Sequence, residues 1–401
     1  MKLAVIVTEY PKSTETFIYR DLVKFAELGH EIRLYHLAPF RQDQPLHGFA
    51  EPTRAWAHYV EFLGAPSLKA LAHTALRHPL RLGTAMAQIV VAYVRHPRML
   101  AKSLALLPKA LAIAADARDW GATHVHAEFA GHPATVAWLG RRFGGLPYSV
   151  SCRAHDIFRT QRLLDRKLGE ALAVRTVSDF GKAFLEDKVP GMAGRPVVIH
   201  SSVDVAAIAP VATLPSTAPF RILYVGALEA KKGVEYLLDA LAAAGPSLGD
   251  WHCDLIGNGP SADALRQKAA SLGLESRVTF HGAQPFERVA AAYQTASVCV
   301  APSVIGPDGR QEGIPNVMIE ALAYQRPAIT TAISGIPELI RDGETGLLIP
   351  QRDAAALAAA LRRIYDDPAA ALEIAKRGRA HVEAEFDLAM NARRQLALFA
   401  G

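Results

Sequence analysis

Two doubly wound parallel α/β sheets in tandem are what this sequence predicts, on three observations. At 401 residues the chain exceeds the size at which one hydrophobic core keeps growing, so two domains are expected. Half of its residues are hydrophobic and 21% are charged, the balance of a folded protein with ample core. Short apolar runs alternate with helical patterns of roughly 10–15 residues, the rhythm of parallel strands joined by crossover helices. One segment rich in Pro, Ser and Thr interrupts that rhythm.

The opening "MKLAVIVTEYPKS" meets Glu9 quickly and has no small-residue cleavage site, so it reads as a first buried strand and not as a signal peptide. "ETFIYRDLVKFAELGHEIRLYHL" follows as helix, Gly29 stop and second strand, a βαβ opening. The alternation runs to "RPVVIHSSVD" and breaks at "VATLPSTAPF", which sets a first domain over 1–205 and a linker over 206–219. It restarts with "RILYVGAL", "VEYLLDALAAA" and "CDLIGNG" and continues to "TGLLIP", a second domain over 220–384. Residues 385–401 are expected to form a helix that packs back on the first domain. Ligands of such sheets bind outside the carboxyl ends of the strands, so a cleft between the two domains is expected.

Residues 62–115 depart from the pattern. They contain no Asp or Glu, yet carry Lys69, Arg77, Arg81, Arg95, Arg98, Lys102 and Lys109 among leucines, alanines and prolines. A helical insertion with a solvated basic face and a surface for an anionic membrane are both consistent with that composition. The longest uncharged apolar run, "LGTAMAQIVVAYV", falls short of the ~20 residues of a membrane span. Cys152, Cys253 and Cys299 stand apart with no CxxC pair, as reduced thiols of a cytoplasmic protein would. A formal net charge of +5 gives no cause to expect a nucleic-acid partner.

Four motifs bear on chemistry. "DLIGNGPSA" fits a G-x-G-x-x-A turn, but the next strand ends in His281 and Gly282 where a nicotinamide site wants an acid, so a tight βα turn is the simpler reading. "YVGALEAKKG" sets a lysine pair between a glycine turn at Gly226 and a helix start, a phosphate-binding arrangement in which Lys232 is the ligand and Lys231 its solvated neighbour. In "EGIPNVMIEALA", Pro315 suits the first turn of a helix; Glu312 then lies in the preceding loop and Glu320 within the helix, where two carboxylates serve different hydroxyls of one extended ligand. "HVHAEFAGH" offers His124, His126 and His132 either as metal ligands or as packed side chains.

Taken in order, "VGALEAKKG", "IGNGP", "APS", "EGIPNVMIEALA" and "PAITTAISGIPELIRDGETGLLIP" resemble the retaining glycosyltransferases of family 4, whose GT-B fold has two Rossmann-like domains facing a cleft. In the first half, "YPKSTETFIYRDL", "HVHAEFAGHPATVAWLGRRFGGLPYSVSCRAHDIF" and "IHSSVD" resemble the exopolysaccharide branch of the colanic-acid type. The resemblance implies a sugar transfer from a nucleotide diphospho-sugar to a glycan or polyprenyl-linked acceptor, in the cytoplasm and with no further cofactor. It implies that Glu312 contacts the donor sugar, Glu320 the ribose and Lys232 the diphosphate. His155, with Asp156 beside it, would reach the sugar from the first domain, and Gly313, Ile314 and Asn316 would offer backbone amides. The family's usual Arg after the glycine of "VG-R-L" is Ala227 here, and Arg310 is the nearest cation by sequence to replace it. No D-x-D occurs, so metal independence is expected. A nucleotide-sugar 2-epimerase and a non-catalytic nucleotide-sugar-binding protein are the alternatives.

Overall fold

The computed structural model describes all residues except 13, 14, 43–47, 159, 215–218, 307 and 308, together with the backbone but not the side chains of 154 and 155. The chain divides into two compact units, Met1–Ile199 with Ala392–Gly401, and His200–Asn391.

In the first unit the strands are β1 (Lys2–Val7), β2 (Glu31–His36), β3 (Ala57–Tyr59), β4 (His124–Glu128), β5 (Tyr148–Cys152), β6 (Ala173–Thr176) and β7 (Pro196–Val198). They form one parallel sheet in the order β3-β2-β1-β4-β5-β6-β7, with Lys2 opposite Glu31 and Leu3 opposite His124. From Leu3 on, β1 reads as an unbroken apolar run and is buried, as a strand covered on both faces is; β4 and β5 are equally buried, although β4 carries His124, His126 and Glu128.

The second unit repeats the topology with β8 (Phe220–Val225), β9 (Trp251–Ile256), β10 (Val278–Gly282), β11 (Val298–Ala301), β12 (Ala328–Thr331) and β13 (Leu347–Ile349), ordered β10-β9-β8-β11-β12-β13. In each sheet the order reverses between the first and fourth strands, β1/β4 and β8/β11, the switch point where doubly wound sheets bind ligands.

The acid-free segment folds into three helices, Ala65–Arg77, Pro79–Tyr93 and Pro97–Asp119, on the connection from β3 to β4. One member of its basic series leaves the surface. Lys109 is fully buried, donates to the Leu37 carbonyl at 2.6 Å and lies over the rings of Tyr59 and Phe62, so it adds no charge to an outer face.

The boundary between the units falls at Ile199/His200, ahead of the expected linker. The "IHSSVD" stretch is held in the second unit by backbone bonds from Val203 to Phe386 and from Leu388 to Val203. Residues further along the proline-rich segment also bond there, Val211 to Tyr324 and Ile208 to Arg379. The last ten residues join the first unit, where Phe399 stacks on His124 and packs edge-on against Phe25.

Candidate functional site

Three loops converge at the β8/β11 switch point. Gly226 and Ala227 follow β8, Gly257 to Gly259 follow β9, and the segment after β11 leads to the helix Asn316–Ala323. The first two turns pack back to back: Gly226 donates to the Ile256 carbonyl and Leu228 to that of Asn258, both at 2.9 Å. Gly257 is required there. Its φ is +143°, and a Cβ would lie 1.8 Å from the Gly226 carbonyl oxygen. The "IGNG" motif thus shapes the neighbouring turn, as the tight-turn reading requires. Gly233 does the same on the other side, where a Cβ would lie 1.9 Å from the Pro302 carbonyl oxygen, so the lysine pair is pressed toward the loop after β11.

That approach brings Lys231 and Lys232 onto one carboxylate. Glu312 Oε1 is 2.7 Å from Lys231 Nζ and Oε2 is 3.0 Å from Lys232 Nζ. Lys231 is therefore not the solvated neighbour expected from sequence: its side chain is only 20% exposed and is held by Glu312 and, at 3.5 Å, by Glu229. The sequence puts the two lysines side by side and gives no sign that a residue eighty positions on bridges them. Burial would push the Glu312 carboxyl up, but Lys232 and Lys231 outweigh it and bring it down to about 2. The same contact raises Lys231 against the effect of its own burial.

Arg310 reaches the cluster through Glu229, Nη1 to Oε2 3.6 Å, with its side chain half exposed. Three cations then face two carboxylates, a net positive site beside a turn where Ala227 carries no charge. The Ala227 carbonyl accepts a hydrogen bond from the Tyr224 hydroxyl at 2.8 Å.

Pro315 directly precedes the helix, which begins at Asn316, and Gly313 and Ile314 complete the approach from Glu312. The helix runs Asn316–Ala323, and the Met318 and Ile319 N–H groups donate to the Pro315 carbonyl, so the amides of Asn316 and Val317 are those with no partner within the helix. The Asn316 side-chain oxygen is buried and has no hydrogen-bond partner, an acceptor that a ligand hydroxyl would satisfy. Glu320 lies in the second turn, buried, and accepts from the Tyr293 hydroxyl at 3.3 Å. Tyr293, itself stacked on Tyr324, is a site neighbour that sequence reading missed, because only folding brings the helix Phe286–Thr295 alongside.

In the first unit, His155 lies in the short helix Ala154–Phe158 and its side chain is outside the described residues. Asp156 is placed as a clamp: its carboxylate accepts the backbone N–H of Ala130 at 2.6 Å and of Arg153 at 2.9 Å, joining the loops after β4 and β5. Beside it Arg153 pairs with Glu128 at 3.0 Å and covers the ring of Phe17. His124 and His126 both bond Ser149 Oγ at 2.7 Å and pack on Phe399. Among the described residues no group of three or more His, Cys, Asp or Glu side chains is placed to hold a metal ion.

Residues 219–367 match the family model described as "Glycosyl transferases group 1". Over 404 residues, 96% of each chain, this protein is 28% identical to WcaL of Escherichia coli (strain K12), named as a colanic acid biosynthesis glycosyltransferase. It is 36% identical over 179 residues to the amylovoran biosynthesis glycosyltransferase AmsK of Erwinia amylovora, a match spanning 45% of this chain and 44% of that one. Among solved structures, the Anabaena protein Alr3699/HepE, in complex with UDP, superposes with a TM-score of 0.72 over the whole of both chains at 17% identity, which shows a shared fold.

Proposed function

We propose, from the premise that this chain belongs to the group 1 glycosyltransferases, that it moves a glycosyl group from a nucleotide diphospho-sugar to a hydroxyl of a glycan or polyprenyl-linked glycan in surface polysaccharide synthesis. The observation that carries the reading is the bridging of Lys231 and Lys232 by Glu312 at the β8/β11 switch point, beside the amides of the helix Asn316–Ala323.

Negative charge develops on the leaving diphosphate as the sugar–phosphate bond breaks, and fixed cations and amides aimed at it supply the largest catalytic contribution. Lys232 and the helix amides take that role, without recourse to a metal. A diphosphate that engages Lys232 frees one Glu312 oxygen to accept sugar hydroxyls and orient the donor. Glu320 and the buried Asn316 oxygen are left for hydroxyls further along, the ribose among them. The acceptor oxygen bonds to the anomeric carbon on the face the diphosphate leaves, and its proton passes to the departing phosphate oxygen, so the anomeric configuration is retained. Three buried free thiols fit a cytoplasmic setting.

The test is a donor-hydrolysis screen of nucleotide sugars, UDP-sugars first, followed by anomeric analysis of the product. Slow hydrolysis of one donor that accelerates with a glycan acceptor is the expected result. Donor binding with no turnover across acceptors would convert the protein into a nucleotide-sugar-binding one, and epimerised donor would make it an epimerase.

A further inference from the structure

Of the three helices between β3 and β4, the middle one, Pro79–Tyr93, is apolar on both sides. Leu82, Ala85, Ile89 and Tyr93 point into the core of the first unit. Its other face carries Leu80, Met86, Val90 and Val91, continued by Val94, and these are exposed, Leu80 by 86% and Val91 by 77%. From Leu82 to Val94 there is no charged residue. A helix apolar on two opposite faces is ordinarily covered on both, so an exposed face of this kind marks a surface that meets something.

What it meets is indicated by the two ends of the helix. The sequence Arg-His-Pro occurs at both, Arg77-His78-Pro79 and Arg95-His96-Pro97, and the backbone repeats with it: His78 sits at φ −137°, ψ 50° and His96 at φ −133°, ψ 74°, each followed by a proline that opens a helix. Arg77 and Arg81 flank one end of the apolar face, Arg95 and Arg98 the other, and all four are exposed. With no acid anywhere in 62–115, two copies pairing along this helix would set basic corner against basic corner in either direction, which like-charge repulsion disfavours. An apolar strip closed at both ends by arginines is instead complementary to a bilayer surface with anionic headgroups.

We propose that the helix Pro79–Tyr93 is an interfacial element that lies in the surface of an anionic membrane, its apolar face among the acyl chains and its arginine corners on lipid phosphates. The C-terminal end of the helix is tied to the segment that follows the His155-bearing helix: the Tyr93 hydroxyl donates to the Arg162 carbonyl at 3.3 Å, and Arg162 Nη1 donates to the Ala92 carbonyl at 3.2 Å. The membrane element is thus bonded to the segment next to the residues assigned to the sugar. The inference rests on the transferase reading only for its purpose, access to a lipid-linked acceptor, and its test does not depend on turnover.

The full chain is sedimented with vesicles of about three parts phosphatidylcholine to one part phosphatidylglycerol, and with phosphatidylcholine alone, at about 50 mM and about 500 mM NaCl. Binding to the anionic vesicles at low salt is expected, with at least a tenfold weaker partition for Val91→Asp and for the pair Arg81→Glu and Arg98→Glu. Donor hydrolysis without membranes is expected to be unchanged in these variants. No binding of the unaltered chain to anionic vesicles at low salt overturns the proposal, as does equal binding by Val91→Asp. A lipid-free dimer that Val91→Asp dissociates overturns it too and assigns the face to a second copy. Absence of donor hydrolysis in the unaltered chain, with its binding to anionic vesicles intact and weakened by Val91→Asp, would count against the transferase reading alone.

Discussion

The two units share one topology and place ion clusters at the same ends of their strands, yet the clusters are built for different ends. In the first unit Arg153, Glu128 and His126 are joined through Ser151 to Arg175, Asp21 and Gln395, all buried, with the last helix of the chain packed over them. In the second, Lys231, Lys232 and Glu312 stand between glycine turns and a helix start, with an excess of cation and an unsatisfied buried oxygen on Asn316. A cluster whose hydrogen bonds close on themselves fixes architecture. One left with net charge and open acceptors is equipped to bind.

If this contrast is right, the largest effect belongs to the closed cluster. Glu128→Ala strands the Arg153 guanidinium without its carboxylate and should cost about 3–5 kcal/mol of stability, measured by chemical denaturation. Glu312→Ala should do the opposite: the fold survives, since Lys231 and Lys232, 20% and 17% exposed, can turn to water, while kcat/KM for the donor falls about a hundredfold or more. Unchanged turnover in Glu312→Ala would break the assignment of the open cluster to the donor.

A smaller effect separates the clusters by pH. Burial, with His126 adding to it, holds the His124 imidazole neutral down to about 3, whereas in the unfolded chain it protonates near its ordinary value. As pH falls below about 6.5 the unfolded state takes up the proton first, so His124 costs about 1.4 kcal/mol per pH unit, or about 2 kcal/mol by pH 5. Glu15, whose carboxyl burial pushes up, works in the other direction, so the measurement is the difference in denaturation slope between the unaltered chain and His124→Gln. Glu312, brought down to about 2, gives its slope mainly below that window, as the unfolded carboxyl takes up its proton around its ordinary value. The smallest effect is expected for Glu320→Gln, which keeps the Tyr293 contact and loses only charge. Donor KM should rise about tenfold with kcat little changed, and an equal loss in kcat would move Glu320 from binding to the reacting centre.

Much of this was legible in the chain. Buried strands announce themselves as apolar runs, and the glycines of "VGAL", "IGNG" and "KKG" mark turns that admit no Cβ, so the two α/β domains and the place of the site follow from local pattern. Family likeness assigned Lys232 and Glu312 to one donor, but that their side chains meet at 3.0 Å was legible neither in that likeness nor in spacing. The part played by Lys231 was misjudged because adjacency says nothing about which lysine loses its water.

Sequence by itself determined what is local: strand and helix periods, proline helix starts, the glycine turns and the absence of acid from 62–115. Only the tertiary structure decided which charges meet and which surfaces stay open. It buried Lys109 under Tyr59 and Phe62, returned Phe399 to His124, set Tyr293 on Glu320, and left Leu80 and Val91 in solvent. Each of these depends on partners far apart in the chain. The free energy of a buried charge or an exposed leucine is set by what surrounds it, and that is absent from any short stretch of sequence.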